Sequence, residues 1–321
     1  MTRVTRIVAG DIGGTNARFA LAEVAEGRVV SLGEPVVLRT AEHAGLPDAW
    51  RAYSAMVGEP LPRVAAFGIA GPVTGGPVRF LNSRWVVYPD TLERDLGLDR
   101  ALLLNDFGAM AHAVHALGAA HFAHVCGPDV PLPERGTISV LGPGTGLGTA
   151  VLLRRESGPV VLEAEGGHIH YAPLNETERF VSARVEDEYG RASVERVVSG
   201  PGLCAIVRAF APDERRDDAA LWAAAVAGEE PLLRRALALF LDSYGATAGD
   251  LSLAHGALGV ALTGGLTNRL LPLIAGSGFH VRFCDKGRYR QRMEGVPVKL
   301  VTHPQPGLFG AAAAFAQEHA S

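Results

Sequence analysis

Two glycine-rich turns, each between two runs of strand-forming residues, constrain the fold of this chain more than any other feature. The runs are Val4 to Ala9 and Arg18 to Val24 around Gly13-Gly14, and Thr137 to Leu141 and Leu147 to Leu153 around Gly142 to Gly146. Such a pattern is typical of a β-hairpin. Two hairpins of one design, about 130 residues apart, predict an α/β chain with a duplicated architecture.

Further strands and helices are predicted from hydrophobic periodicity and capping residues. The predicted strands are Val29 to Leu38, Val64 to Ala70, Ala101 to Leu104, Gly259 to Leu262 and Val298 to Val301. The predicted helices are Leu46 to Met56, Leu92 to Leu96, Asp106 to Leu117, Asn175 to Tyr189, Pro231 to His255, one from about Asn268, and Leu308 to Glu318.

Only two of the 30 basic residues are lysines, at positions 286 and 299, and the other 28 are arginines. A P-loop nucleotide-binding protein needs a lysine directly after a glycine and before Ser or Thr. Neither lysine has these neighbours, so the sequence excludes that class. If the protein binds phosphate, we expect backbone amides, arginine or a metal ion to bind it.

Charge and cysteine content narrow the remaining classes. The chain has 321 residues, enough for about two domains, and a formal net charge of −4, which argues against nucleic-acid binding. No apolar run reaches the roughly 18 residues of a membrane span, so we expect no membrane partner. The three cysteines, at 126, 204 and 284, form no Cys-x-x-Cys pair. They indicate a reducing, cytoplasmic location and predict no structural zinc.

Consecutive glycines at a strand end expose backbone N–H groups that can surround a phosphate. Thr15 and Thr145 add hydroxyl donors, and Asp11 adds a carboxylate for a metal ion that accompanies the phosphate. The alternative is that these turns are only tight hairpin connections. A dinucleotide-binding fingerprint is disfavoured, because its third glycine would fall at Leu147 and a strand pattern follows instead of a helix.

Asp106 is the best single candidate for a catalytic residue. A carboxylate at the end of a buried strand projects into the region where ligands of α/β sheets bind, and it could accept a proton from a substrate hydroxyl. The alternative is structural, because Asn105-Asp106 is also a good start for a helix.

Two further polar side chains could bind a polyol. Glu165 and His168 share a tight turn, Glu165-Gly166-Gly167-His168, and can accept or donate hydrogen bonds to hydroxyls. A surface turn or a zinc site that includes His170 are the alternatives. Glu195 is expected in the first turn of a helix. Thr247-Ala248-Gly249-Asp250 is similar to an anion-binding motif of ribokinase-type sugar kinases, but it lacks the first glycine and is expected to be ordinary helix.

Six motifs, taken in order, resemble those of bacterial glucokinases, in the superfamily of hexokinase, actin and the heat-shock ATPases. They are Gly10-Asp11-Ile12-Gly13-Gly14-Thr15-Asn16-Ala17-Arg18, Leu104-Asn105-Asp106-Phe107, Gly142-Pro143-Gly144-Thr145-Gly146-Leu147-Gly148, Glu165-Gly166-Gly167-His168, Glu195-Arg196-Val197-Val198-Ser199-Gly200-Pro201-Gly202 and Thr263-Gly264-Gly265. The match extends over nearly the whole chain.

The resemblance implies a reaction and a role for each matching residue. It implies ATP-dependent phosphorylation of D-glucose at the C6 hydroxyl, giving glucose 6-phosphate and ADP, the first step of glycolysis. Glucose would be bound by five residues, with Asp106 as the base: Asn105, Asp106, Glu165, His168 and Glu195. ATP would lie against three glycine-containing loops: Gly10, Asp11, Ile12, Gly13, Gly14 and Thr15; Gly144, Thr145 and Gly146; Gly264 and Gly265. Asp11 would hold Mg²⁺ through water.

The resemblance also implies an architecture and an assembly. The fold would be a two-domain ribonuclease H-like fold, of the actin and hexokinase type, with a cleft between the domains. Residues 1–110 with 303–321 would form the small domain, and residues 111–302 the large one. The isolated Cys204 departs from the zinc-binding cysteine cluster of the repressor and open-reading-frame kinases (ROK), so no zinc is expected. The family tends to be dimeric, which predicts a homodimer.

Two alternatives to a glucose kinase stay open at this point. A kinase for another hexose would use the same Asn, Asp, Glu and His ligands, because many sugars share the hydroxyls that these residues contact. A sugar-responsive ATPase or regulator could keep the fold without transferring phosphate to sugar. The intact Asn105-Asp106 pair disfavours the second alternative.

Overall fold

The computed structural model describes residues 4–80 and 83–319. Its strands are β1 (Thr5–Ile12), β2 (Asn16–Ala25), β3 (Arg28–Leu32), β4 (Val36–Arg39), β5 (Val64–Ile69), β6 (Val78–Arg79), β7 (Val86–Val87), β8 (Arg100–Asn105), β9 (Phe122–Cys126), β10 (Gly136–Pro143), β11 (Leu147–Arg154), β12 (Val160–Ala164), β13 (Gly259–Leu262) and β14 (Val298–Val301). Its helices are α1 (Leu46–Val57), α2 (Leu92–Leu96), α3 (Asp106–Ala116), α4 (Glu176–Tyr189), α5 (Gly200–Phe210), α6 (Asp218–Ala227), α7 (Pro231–Ala254), α8 (Gly265–Ile274), α9 (Phe279–Cys284), α10 (Arg290–Glu294) and α11 (Pro306–Glu318).

The described chain divides into two compact units. The first contains the chain up to Gly118, the segment Glu156–Glu163 and everything from His303 onward. The second contains Ala119–Arg155 and Ala164–Thr302. Within the described residues, no helix is both long and apolar enough to cross a membrane.

Each unit contains a sheet built on the same plan. In the first unit, β1 and β2 form an antiparallel hairpin, and β5 and then β8 continue the sheet in parallel with β1. In the second unit, β10 and β11 form the hairpin, and β13 and then β14 run parallel to β10. The duplicated architecture expected from the two glycine turns is therefore confirmed.

The two faces of the first sheet bury different side chains. Phe19 and Phe67 point to the face that packs against α1, which contributes Trp50 and Tyr53. The opposite face is covered by the alanine-rich helix α11, whose small side chains pack against those of β1 and β5. Because helices cover both faces, the parallel strands are buried along almost their whole length.

Most predicted elements are confirmed, and one needs correction. The stretch Val29 to Leu38 was predicted as one strand. It forms two separate strands, β3 and β4, and each of them pairs with β2. The chain leaves the ladder between them because Pro35 has no N–H to donate. Strand β9 was missed, since His124 interrupts its apolar pattern.

Close packing of α7 against α9 explains why glycine occurs in Thr247-Ala248-Gly249-Asp250, the segment that is similar to an anion-binding motif. A β-carbon at Gly245 would overlap the backbone of Phe279, and one at Gly249 would overlap that of Phe283. Asp250, on the same helix, forms an ion pair of 3.0 Å with Lys286. The segment Thr247 to Asp250 is therefore ordinary helix, as expected.

We expect Gly245→Ala to destabilise the protein. Alanine favours a helix interior by about 1 kcal/mol over glycine, but here its methyl group would push against the Phe279 backbone, and overpacking costs about 1–3 kcal/mol. The melting temperature, followed by circular dichroism, should fall. Gly276→Ala is the control, because a β-carbon there meets nothing within 4 Å. Equal melting temperatures of the two variants would show that α9 shifts to make room for the methyl group at no cost in stability.

Candidate active site

The tip of the first hairpin is held by hydrogen bonds from a neighbouring segment. Gly13 N–H donates to the Asn16 carbonyl at 2.9 Å. The buried Thr40 hydroxyl donates to the Gly14 carbonyl at 2.6 Å, and the Thr40 amide donates to the Thr15 carbonyl at 3.0 Å. These bonds fix the backbone of the turn that the sequence analysis assigns to phosphate.

Asp11 lies near the end of β1, with its side chain 23% exposed. One carboxylate oxygen lies 3.2 Å from an Arg18 guanidinium nitrogen. A β-carbon at Gly307, in the first turn of α11, would come within 2.9 Å of the carboxylate, so the group lies directly over that turn. Burial raises the pKa of Asp11, and Arg18 partly opposes this rise by stabilising the anion.

Asn105 and Asp106 lie where β8 ends and α3 begins. The Asn105 side-chain oxygen accepts from the amides of Phe107 and Gly108 at 2.8 and 3.3 Å, which caps the helix. Its side-chain nitrogen donates to the Gly71 carbonyl at 3.0 Å. These bonds occupy the oxygen and one of the two amide protons, and the second amide proton has no partner among the described residues.

Asp106 occupies the first position of α3, and one of its carboxylate oxygens accepts from the Phe107 amide at 2.9 Å. Asp11 and Asp106 belong to the same sheet edge, since Asp11 pairs with Gly68 and Gly68 pairs with Leu104. The site residues predicted in the first unit are thus brought together at the carboxyl ends of its parallel strands.

In the second unit, the two other glycine loops lie side by side. The Gly144 amide donates to the Gly146 carbonyl, and the Gly200 amide, at the start of α5, donates to the Gly144 carbonyl, both at 2.7 Å. A β-carbon at Gly142 would overlap the Thr263 carbonyl, so the turn Thr263-Gly264-Gly265 packs directly on this loop. The structure therefore joins two of the loops that the resemblance assigns to ATP.

Glu195 contacts the tip of the second hairpin. Its carboxylate accepts from the Leu147 amide at 2.9 Å, and a β-carbon at Gly146 would overlap it. Glu195 lies in the first turn of a helix, as expected, but this helix is short. It lies in an isolated 3₁₀ turn, Val194–Arg196, and α5 begins only at Gly200, where Ser199 provides the N-cap and Pro201 can occupy the first turn.

The turn that carries Glu165 and His168 packs on the start of β11. The buried Thr149 hydroxyl donates to the Ala164 carbonyl and accepts from the Gly166 amide, both at 2.8 Å. The Glu165 carboxylate and the His168 ring are 3.8 Å apart, with side chains 61% and 59% exposed. Because the Val194 amide donates to the Ile169 carbonyl, this turn and that of Glu195 are neighbours in the second unit.

Several supporting residues were not found from the sequence. Thr40, Thr149 and Gly307 each hold or border a predicted site residue, but they are far from it in sequence and belong to no motif. Glu163 also belongs to none of the six motifs, yet its carboxylate accepts from the Asn105 amide at 2.7 Å. Within the described chain, no group of three or more His, Cys, Asp and Glu side chains is placed to hold a metal ion.

Comparison with known proteins places this arrangement in a family. The sequence profile of the family described as Glucokinase matches residues 8–318. The chain belongs to the glucokinase family. The glucokinase of Zymomonas mobilis is 49% identical over 318 residues, which cover 98% of each chain. The reaction of the glucokinase family is ATP-dependent phosphorylation of glucose, and this chain is a kinase of that kind.

Solved glucokinase structures share the fold. A glucokinase from an Antarctic psychrotroph superimposes with a TM-score of 0.82 at 33% identity, covering 96% of this chain and 98% of that one. A ROK family glucokinase from Streptomyces griseus gives a TM-score of 0.62 at 21% identity, covering 98% of this chain and 100% of that one. The two-domain fold of the actin and hexokinase type, expected from the sequence, is confirmed.

We expect Thr149→Val to weaken glucose binding. The substitution keeps the shape of the side chain but leaves the Ala164 carbonyl and the Gly166 amide without their partner, which costs about 1–3 kcal/mol. The turn of Glu165 should shift, and the KM for glucose should rise about fivefold or more, as measured by steady-state kinetics. Thr137→Val, on the neighbouring strand β10, is the control. An unchanged KM would show that the turn holds its shape without Thr149.

Proposed function

We propose that this glucokinase transfers the γ-phosphoryl group of ATP to the C6 hydroxyl of glucose, with Asp106 as the base. The observation that carries this proposal is the placement of Asp106 at the carboxyl end of β8 and the first position of α3. Ligands of open α/β sheets bind at such strand ends. The products would be glucose 6-phosphate and ADP.

Asp106 is suited to accept the hydroxyl proton. The N-terminus of a helix stabilises negative charge, and the Phe107 amide fixes the orientation of the carboxylate. As the hydroxyl oxygen attacks phosphorus, its proton passes to Asp106, and the bond between the γ-phosphorus and the bridging oxygen of ADP breaks. Asn105, whose side chain is fixed by its cap and by Gly71, would donate its remaining N–H to a sugar hydroxyl.

Three further residues, Glu165, His168 and Glu195, would also bind the sugar. Glu165 and His168 are exposed on one turn and can bind two hydroxyls of one ring. Glu195 would accept from another hydroxyl, although one of its oxygens already accepts from the Leu147 amide. Hydrogen bonds to charged carboxylates give more discrimination than those to neutral groups.

The three glycine loops would bind the phosphates of ATP through backbone amides. Both lysines are buried in ion pairs, Lys286 with Asp250 and Lys299 with Asp129, so neither is available for this task. Gly264 is the N-cap of α8 and Gly265 is its first residue, and a helix N-terminus attracts anions. The related Streptomyces griseus protein was crystallised with glucose and AMPPNP, an analogue of ATP.

The residues of the first unit fit a magnesium ion that accompanies ATP. Mg²⁺ keeps several water ligands and takes one or two carboxylates together with phosphate oxygens, and Asp11 provides one partly exposed carboxylate beside the first loop. Asp11 would hold the ion through water, and the ion would neutralise charge on the phosphates.

The same proposal extends to location and assembly. We place the enzyme in the cytoplasm, where ATP is available and where its three free cysteines stay reduced. A homodimer is the commonest symmetric assembly. We take the first compact unit as the small domain, expected over 1–110 and 303–321, and the second as the large domain, expected over 111–302.

Asp106→Ala should lower kcat at least about 100-fold, because removal of a general base costs roughly 10²–10⁴ in rate. Glucose binding, measured by calorimetry, should be partly retained. The unaltered enzyme is assayed alongside with and without glucose, and NMR of the product should show the phosphate on C6. Near-normal turnover by the variant would remove Asp106 as the base, and ATP hydrolysis independent of sugar would contradict a sugar kinase.

Glu165→Gln and His168→Ala should each raise the KM for glucose by about tenfold, because the first removes the charge of a hydrogen-bond acceptor and the second removes a hydrogen-bonding side chain. The KM for ATP should change less than twofold, because these residues would contact only the sugar. Glu186→Gln, on the exposed side of α4, is the control for loss of a carboxylate. Unaltered glucose KM values would take both residues out of the sugar site.

A further inference from the structure

The start of α3 lacks one member of the usual pair of N-terminal capping residues. In a capping box, the N-cap side chain accepts from the amide at the third helical position, N3, and an acid at N3 accepts from the amide of the N-cap residue. In α3 the N-cap is Asn105, but N3 is Gly108, which has no side chain. Helix α4 differs, since its N-cap Asn175 is followed by the acid Glu178 at N3.

Glu163 occupies the place of the missing acid. Its carboxylate accepts from the Asn105 amide at 2.7 Å, the bond that an N3 acid would make. A β-carbon built on Gly108 would lie 2.6 Å from one oxygen of this carboxylate and 3.2 Å from the Glu163 Cγ. Gly108 therefore leaves the space, and a residue 55 positions later in the sequence fills it.

The position of Asn105 in the sheet explains why its amide needs such a partner. Asn105 is the last residue of β8, the strand at one end of the first sheet, and among the described strands only β5 pairs with it. Asn105 is 8% exposed, and a buried backbone N–H without a partner is costly. The Glu163 bond satisfies this amide and fixes the backbone one residue before Asp106.

We propose that Glu163 is a positioning residue for the Asn105-Asp106 turn, completing the cap of α3 from a distant segment. The proposal rests on the proposed function in one respect, since it takes Asp106 as the base. Glu163 itself would contact neither glucose nor ATP. It would act by holding the Asn105 backbone, and through it the direction of the Asp106 carboxylate. A small misplacement of a catalytic group is enough to lower the rate of the chemical step.

Four variants test the proposal by steady-state kinetics. Glu163→Ala should lower kcat about tenfold with the KM for ATP changed less than twofold, because the turn loses its anchor. Glu163→Gln should stay within threefold of the unaltered enzyme, because its amide oxygen can still accept from Asn105. Gly108→Ala should resemble Glu163→Ala, because its methyl group displaces the carboxylate. Glu186→Gln is the control for loss of an exposed acid.

The double variant Gly108→Ala with Glu163→Ala distinguishes a shared role from two separate ones. If both residues act through the one contact, the double variant should be no slower than either single variant, at about tenfold below the unaltered enzyme. A loss near 100-fold, the product of the two single losses, would overturn the proposal. So would a Glu163→Ala enzyme with unchanged kcat, or a Glu163→Gln enzyme as slow as Glu163→Ala.

Hydrogen exchange separates this proposal from the assignment of the base. The Asn105 amide should be protected in the unaltered enzyme and in Glu163→Gln, and should exchange faster in Glu163→Ala and in Gly108→Ala. Persistent protection in Glu163→Ala would overturn the positioning role whatever Asp106 does. If Asp106→Asn keeps its activity while protection is lost in Glu163→Ala, the base assignment fails and Glu163 still positions the turn.

Discussion

Contact between carboxylates and glycine backbone is the interaction on which the candidate site residues of each unit depend. At three glycines beside the candidate site residues, the place of a β-carbon is taken or closely approached by an acidic side chain: Gly108 by Glu163, Gly146 by Glu195, and Gly307 by Asp11. A side chain at any of these positions would push the acid away. These glycines are therefore required by the space that an anion occupies, since none of the three has a positive φ.

Helix N-termini, a neighbouring arginine and a backbone amide stabilise these anions. Asp11 lies over the first turn of α11 and beside Arg18, and Glu163 accepts from the amide that precedes α3. Helix N-termini stabilise negative charge by roughly 0.3–1 kcal/mol at exposed sites, and more when partly buried. Elsewhere, acids are neutralised by paired cations, as in the buried pair of Glu178 and Arg282, whose closest atoms are 2.6 Å apart. Asp11 is thus stabilised by an arginine, Glu163 by a backbone amide, and Glu178 by both kinds of partner.

Local patterns were sufficient to predict most of the fold. The two hairpins, the cap of α4 at Asn175 and the long helix from Pro231 were all correct, because each is decided by residues that are neighbours in sequence. The predictions failed where distant segments decide the outcome. Val29 to Leu38 is divided where Pro35 leaves the ladder with β2, and strand β9, which pairs with the distant strand β14, was missed.

The sequence alone determined the family, the glycine loops and the acids and amides that could act in catalysis, because these form short motifs in a fixed order. Only the tertiary structure decided which residues support them. Thr149 holds the turn of Glu165, Gly307 lies under Asp11, and Glu163 completes the cap beside Asp106. Each of these contacts joins residues between 17 and 296 positions apart. A motif shows that a side chain is present, but the contact that orients it forms only when strands distant in sequence are brought to one edge of a sheet.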